Sequence, residues 1–233
     1  FNRCFRIITQ KGENMLIERI SELKKLLLAE AGLVEKMIML AMDGLANFGT
    51  AFQEEVNTFE TRVNQIEIEL DEKCFTLIAL NQPEAKDLRQ ILMIYRMNND
   101  LERLGDQAVN IAESAAQLTG NPVLKLIPEL FSMKEAALKM LKDALYAFTR
   151  EDYELSRQVC DADNIVDEYN RNIYKHLVKL IRENPLQTDL YLHILRIAKN
   201  LERIGDLSTN IAEDTIFLAQ GKVIKHNINK ISK

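Results

Sequence analysis

Leu101-Glu-Arg-Leu-Gly-Asp-Gln-Ala-Val-Asn-Ile-Ala-Glu113 returns later in the chain as Leu201-Glu-Arg-Ile-Gly-Asp-Leu-Ser-Thr-Asn-Ile-Ala-Glu213. Nine of the thirteen positions are identical, at an offset of 100 residues. A repeat this long makes the chain two copies of one unit. Within each copy the apolar positions recur at helical spacing: Leu104, Ala108, Ile111 and Ala115 in the first, Ile204 and Ile211 in the second. The phrase is therefore a helix, used twice. Glu102 and Asp106 lie four apart, so they share one face of it. Asn110 and Glu113 extend that face, and Glu202, Asp206, Asn210 and Glu213 reproduce it.

Reading outward, the pattern predicts three helices per copy. A first helix spans about 15–47, with Ile20, Leu23, Leu27, Val34, Met37, Ile38, Ala41 and Leu45 as its apolar stripe. Phe48-Gly49-Thr50 breaks it, since glycine can take the left-handed cap conformation. A second spans about 52–80, and Pro83 ends it because the residue before proline avoids the helical region. A third spans about 84–118. The segment 121–128 links the copies. The second copy then reads 129–148, 152–182 and 187–219, with Asn184-Pro185 as its turn. The expected fold is all-α: two tandem antiparallel three-helix bundles related by a pseudo-twofold repeat, in units 15–120 and 129–221. Residues 1–14 are expected to stand outside the folded unit, and 222–233 form a polar tail.

Composition supports helices and narrows the function. Among 233 residues there are only 8 Gly and 4 Pro, which leaves little for hairpins and loops. The net charge is −5, with no basic stripe of interleaved aromatics, which argues against a nucleic-acid partner. No apolar run approaches the roughly 18–20 residues of a membrane-spanning helix. Residues 1–14 lack the apolar segment of a secretory signal. Three cysteines without metal-type spacing (Cys4, Cys74 and Cys160) favour a reducing compartment.

Antiparallel helices face each other symmetrically about their turn. About Pro83, positions 106 and 102 fall opposite 60 and 64, which are Glu60 and Asn64. About Asn184-Pro185, positions 206 and 202 fall opposite Asp163 and Asp167. Each hairpin thus levels two acidic pairs, with Glu67 and Asp71 further along the same face in the first copy. Like charges four apart destabilise a helix, and a bound cation would reverse the cost. Oxygen donors suit Mg, Mn, Ca or iron, and carboxylates also take Zn. A solvated acidic face neutralised by Arg103, Arg203 and nearby lysines is the alternative reading. Gly105 and Gly205 each cost about 1 kcal/mol relative to alanine in a helix interior, which predicts close helix approach at both.

These phrases, with Gln82-Pro-Glu-Ala-Lys-Asp-Leu-Arg89, resemble the PhoU family of phosphate-transport regulators from 15 to 221. The resemblance implies two three-helix bundles in a cytoplasmic protein that reaches the membrane only through partners. Those partners are the ATPase of the phosphate importer and the phosphate-sensing histidine kinase, whose signal such proteins hold down when phosphate is plentiful. It also implies multinuclear iron or zinc on paired acidic motifs in some members. Carried to this chain, those are Glu60/Asn64 with Glu102/Asp106, and Asp163/Asp167 with Glu202/Asp206. Glu67, Asp71, Asn110, Glu113, Asn210 and Glu213 are additional candidates on the same faces. Asn64 departs from the usual Asp and weakens the first site. Homodimerisation along exposed stripes is left open.

No enzyme is expected. No phosphate-cradling GxxxxGK[ST] loop is present, and His176, His193 and His226 are scattered. A di-iron, ferritin-like carboxylate oxidase is the enzymatic alternative. It would need Glu-x-x-His motifs turned into the bundle core, and the sequence has none. A metal-free scaffold whose acidic faces bind basic partner residues is the third.

Overall fold

A computed structural model describes residues 2–45 and 51–220, with side chains from 15 to 219. Six α-helices account for nearly all of it: α1 (Asn2–Asp43), α2 (Ala51–Asn81), α3 (Ala85–Leu118), α4 (Glu129–Arg150), α5 (Tyr153–Glu183) and α6 (Thr188–Gln220). No strand occurs among the described residues. As placed, α1 begins at Asn2, well ahead of the expected start at Met15. That helix runs through 2–14 without testing whether they stand apart from the folded unit; the expectations for 222–233, and that Phe48-Gly49-Thr50 and Gly221 end their helices, lie outside the described residues.

The helix ends follow local chemistry. Asp152 caps α5, its carboxylate accepting from the Leu155 amide at 3.0 Å, which satisfies one of the orphan donors of the first turn. Pro122 opens a short 3₁₀ segment, Pro122–Leu126, and Asn121 accepts from the Val123 amide ahead of it. Gly120 takes φ 67° just past α3, the left-handed conformation that glycine adopts without steric cost. Thr119 donates to the Gly44 carbonyl at 3.2 Å, tying the end of α3 to the end of α1.

Helices α1, α2 and α3 pack as one bundle and α4, α5 and α6 as a second, and α3 lies against α6 to join them. One continuous apolar core runs through both, from Leu16 to Ile216. Helix α3 meets three neighbours, which is why its buried set is wide and includes Leu101, Leu104, Ala108 and Ile111 together with Asn98 and Ser114. The repeat extends to the first helix of each copy. Glu35, Asp43 and Leu45 recur as Glu135, Asp143 and Leu145, and the buried Met37, Ile38 and Ala41 match the buried Ala137, Leu138 and Leu141.

The two helical glycines differ. A methyl group at 205 would stand 3.2 Å from Asp163 Oδ1 and 3.4 Å from Val166 Cγ1, a close approach of α5 to α6. A methyl at 105 would meet only Met37 and Val63 carbons, each at 3.7 Å, which is ordinary contact. The expectation of close packing is therefore corrected at Gly105, where alanine has room.

Candidate acidic clefts

Packing decides which carboxylates meet. Helices α2 and α3 pack together, and Val63, Ile66 and Leu70 on one and Leu101, Leu104 and Ala108 on the other are all buried. The acidic residues sit at the edge of that seam. Glu60, Glu67, Asp71 and Glu102 are partly buried, while Asn64 and Asp106 are exposed. Burial, then Asp106 and Glu113, pushes the Glu60 carboxyl up from its ordinary value. Burial, then Asp71 and Asp106, does the same to Glu67. Glu102 is raised by burial first, then by Asp106 and Glu67 and least by Glu60, with Arg103 pulling the other way. The facing derived from Pro83 thus brings Glu60, Glu67, Asp71, Glu102 and Asp106 into one cleft. Among the described residues, Glu60, Glu67, Glu102 and Asp106 have no basic side chain in ion-pair contact.

The second cleft lies between α5 and α6. Asp163 is lifted to about 6 by burial, then by Asp206, Asp167 and Glu202. Asp206 is raised by burial and by Glu202 and Asp167, with Arg203 and Lys199 pulling the other way. This cleft carries its own counter-charges. Lys199 reaches Glu202 at 2.9 Å, and Arg171 lies 3.5 Å from Asp167. Part of the solvated-face reading therefore holds here, through Lys199 and Arg171. In the first cleft Arg103 is the nearest analogue, and it pairs with Asp100 at 3.8 Å.

The far ends of both stripes do something else. Arg196 of α6 donates to Asn110 at 2.6 Å and to Glu113 at 2.7 Å, across the junction of the two bundles. Its counterpart Arg96 of α3 lies 2.7 Å from Asp214 of α6. Arg96 also lines a polar cavity with Asp71, Asn99, Asp100 and Asn210. Asn110, Glu113 and Asn210 thus also reach the seam between repeats, while Glu113 still acts on Glu60. Glu213 lies at the end of its own stripe near Cys160, whose thiol is pushed up to about 12 by burial first and by Glu213 next.

One residue of the first cleft was missed by sequence reasoning. Glu30 of α1 is fully buried, and neither carboxyl oxygen has a hydrogen-bond partner. Its pKa is pushed up to about 9 by burial, then by Glu67, Glu102 and Asp71. The signal was available: Leu23, Leu27, Val34, Met37 and Ala41 step by three or four except across 27–34, and residue 30 fills that gap. Nearby, Asn98 donates to Asp71 at 2.8 Å and to the Glu67 carbonyl at 2.9 Å, while its own buried Oδ1 has no partner. In the second copy the buried Asn170, at the repeat position of Glu67, has the same orphaned Oδ1.

Buried oxygens without donors favour a cation, because each unsatisfied acceptor otherwise bears its desolvation cost. The donor set is all oxygen, as hard cations require. As placed, no three His, Cys, Asp or Glu side chains among the described residues are close enough together to hold one ion. Binding therefore needs the longer glutamates to swing toward one another.

A family model described as the PhoU domain matches residues 27–115 and 130–215, one match in each bundle. A phosphate-specific transport system accessory protein PhoU homolog of Aquifex aeolicus is 34% identical over 211 residues, covering 91% of this chain and 96% of that protein. The crystal structure of PhoU from Pseudomonas aeruginosa superposes with a TM-score of 0.82 at 33% identity, over 88% of this chain and 99% of that one. The phosphate transport system regulatory protein PhoU from Streptococcus pneumoniae gives 0.83 at 27% identity, over 89% and 98%. Among the described residues no helix is long and apolar enough to cross a membrane.

Proposed function

The chain belongs to the PhoU family, and on that footing we propose that it represses the phosphate-starvation response by binding two partners. One is the ATPase of the phosphate importer; the other is the phosphate-sensing histidine kinase. The observation that carries this reading is the match in both repeats, together with nearly full-length relatives named as phosphate-specific transport accessory proteins. A cytoplasmic, non-enzymatic role at the inner face of the membrane fits those names. The test is a pull-down with the tagged chain from phosphate-replete cells. The importer ATPase and the kinase are the expected catch, and recovery of neither from cells that express both would sink the proposal.

We further propose that the clefts hold iron, zinc or a similar divalent cation. The first would use Glu60, Asn64, Glu102 and Asp106; the second would use Asp163, Asp167, Glu202 and Asp206. When bound, the cation supplies positive charge that relieves carboxylate repulsion. The chain's part is to hold acidic pairs level on neighbouring helices and to keep Glu67, Asn98 and Asn170 beside them. Support comes from the orphaned buried oxygens at both places. Glu202→Ala with Asp206→Ala should roughly halve the metal taken up by chelator-stripped protein, with helicity unchanged. Elemental analysis after gel filtration checks this, and undiminished uptake would remove the second cleft from the assignment.

A further inference from the structure

Glu30 stands where an apolar side chain would serve the core better. Its counterpart 100 residues on is Leu130, and both are fully buried. The second bundle therefore shows that the position accepts leucine. Glu30 instead buries a carboxyl with two unpartnered oxygens on a helix packed against both α2 and α3, within reach of the charges of Glu67, Glu102 and Asp71. A buried acceptor without a donor is costly, so packing alone gives no reason for it.

The two copies also differ in where their carboxylates sit. Where the second cleft has Asp167, the first has Asn64. Where the second has Asn170, the first has Glu67, so α2 keeps a carboxylate three residues along the same face while α1 adds Glu30. The gain comes from the core side, where α1 closes the seam between α2 and α3. Lys199 and Arg171 serve Glu202 and Asp167 in the second cleft. Among the described residues, Glu30, Glu67 and Glu102 have no such partner.

We propose that Glu30 is an inner ligand of the first cleft, binding a divalent cation together with Glu67 and Glu102 and turning a two-helix site into a three-helix one. This rests on the cation reading of the clefts given above. Glutamate suits the role because its side-chain torsions let it advance from the core once a cation draws Glu67 and Glu102 inward. Asn98 Oδ1, buried and unpartnered beside Asp71, offers a neutral oxygen at the same place.

The experiment uses the full chain carrying Glu202→Ala and Asp206→Ala, so that only the first cleft can load. Chelator-stripped protein is titrated with Mn(II) and, separately, Zn(II) by calorimetry. Bound metal and the cation-induced rise in Tm are measured alongside. Glu30→Leu and Glu30→Gln are then added in turn. The expected result is at least a tenfold loss of affinity in both variants, with the cation no longer raising Tm, while the stripped Leu variant melts no lower than its parent. Unchanged stoichiometry and affinity in both would overturn the assignment of Glu30 and leave the cation reading intact. If the Glu202/Asp206 variant binds nothing while the unmodified chain loads, the first cleft is not a site and the proposal falls alone. If the unmodified chain binds neither metal, the cation reading falls and takes the proposal with it.

Discussion

Chelator-stripped Glu30→Leu protein is expected to be more stable than the unmodified chain, with a margin several kcal/mol larger at pH 8 than near pH 5. In the unfolded chain Glu30 titrates as an ordinary carboxylate; in the folded chain it keeps its proton up to about 9. Between those values the unfolded state has released a proton that the folded state retains. Stability therefore falls as pH rises, by about 1.4 kcal/mol per pH unit, and levels off above the folded value. Below the ordinary carboxylate range both states are protonated and the pH dependence vanishes, leaving the constant cost of burying a neutral carboxyl without partners. Leucine removes this whole dependence, and the buried Leu130 indicates how it would pack. Several kcal/mol corresponds to a shift on the order of 10 °C for a chain of this size.

Glu30→Gln separates titration from packing. It should flatten the pH profile but gain less stability, because a buried amide without partners still bears its desolvation cost. Urea unfolding of all three proteins between pH 5 and pH 8 checks this. The other raised carboxylates, Asp163 and Asp206 among them, titrate alike in each protein and drop out of the difference. Parallel profiles for the unmodified chain and the Leu variant would contradict the argument.

Much of the molecule was legible because helical periodicity and turn residues are local signals. The repeated phrase beginning at Leu101 and Leu201 sets the helix count. Pro83 and Pro185 set the hairpin registers, and register alone was enough to place Asp206 beside Asp163. Glu30 escaped because a gap of seven between Leu27 and Val34 is itself compatible with a helix stripe. A buried acid is then indistinguishable from a skipped position. Gly105 misled for a related reason: a repeated glycine suggests a shared cause, but only Gly205 faces an oxygen of the neighbouring helix. The pairing of α3 with α6 was not legible at all. Periodicity says that a helix has a buried face, but not which bundle's helix will cover it. The broad buried surface of α3 is more than a single stripe, and Asn110, Glu113 and Asn210 reach the junction as well as lying on the acidic stripes, with Glu113 still acting on Glu60.

That junction carries the second large effect. Arg96 and Arg196 are copies of one residue, yet they face different partners. Arg96 meets Asp214 at 2.7 Å, and the Asp214 side chain is 3% exposed. Arg196 meets Glu113, whose side chain is 54% exposed. The aspartate stays buried when its guanidinium is removed, whereas the glutamate is re-solvated. Breaking a fully buried pair typically costs about 3–5 kcal/mol, and an exposed pair is worth about 1 kcal/mol or less. The Arg96 side chain is itself 37% exposed and Asp214 holds other interactions, so this pair falls no higher than the low end of the buried range. Arg96→Met, which keeps the apolar stem, should therefore destabilise the protein by about 3 kcal/mol, and Arg196→Met by about 1 kcal/mol or less. Adding Asp214→Asn to Arg96→Met should recover part of the loss, because the buried charge goes with it. Guanidinium or urea unfolding at neutral pH measures all three. Equal, small losses for the two arginines would mean that Asp214 is compensated well enough without Arg96, and that the two bundles are held together by their apolar seam alone.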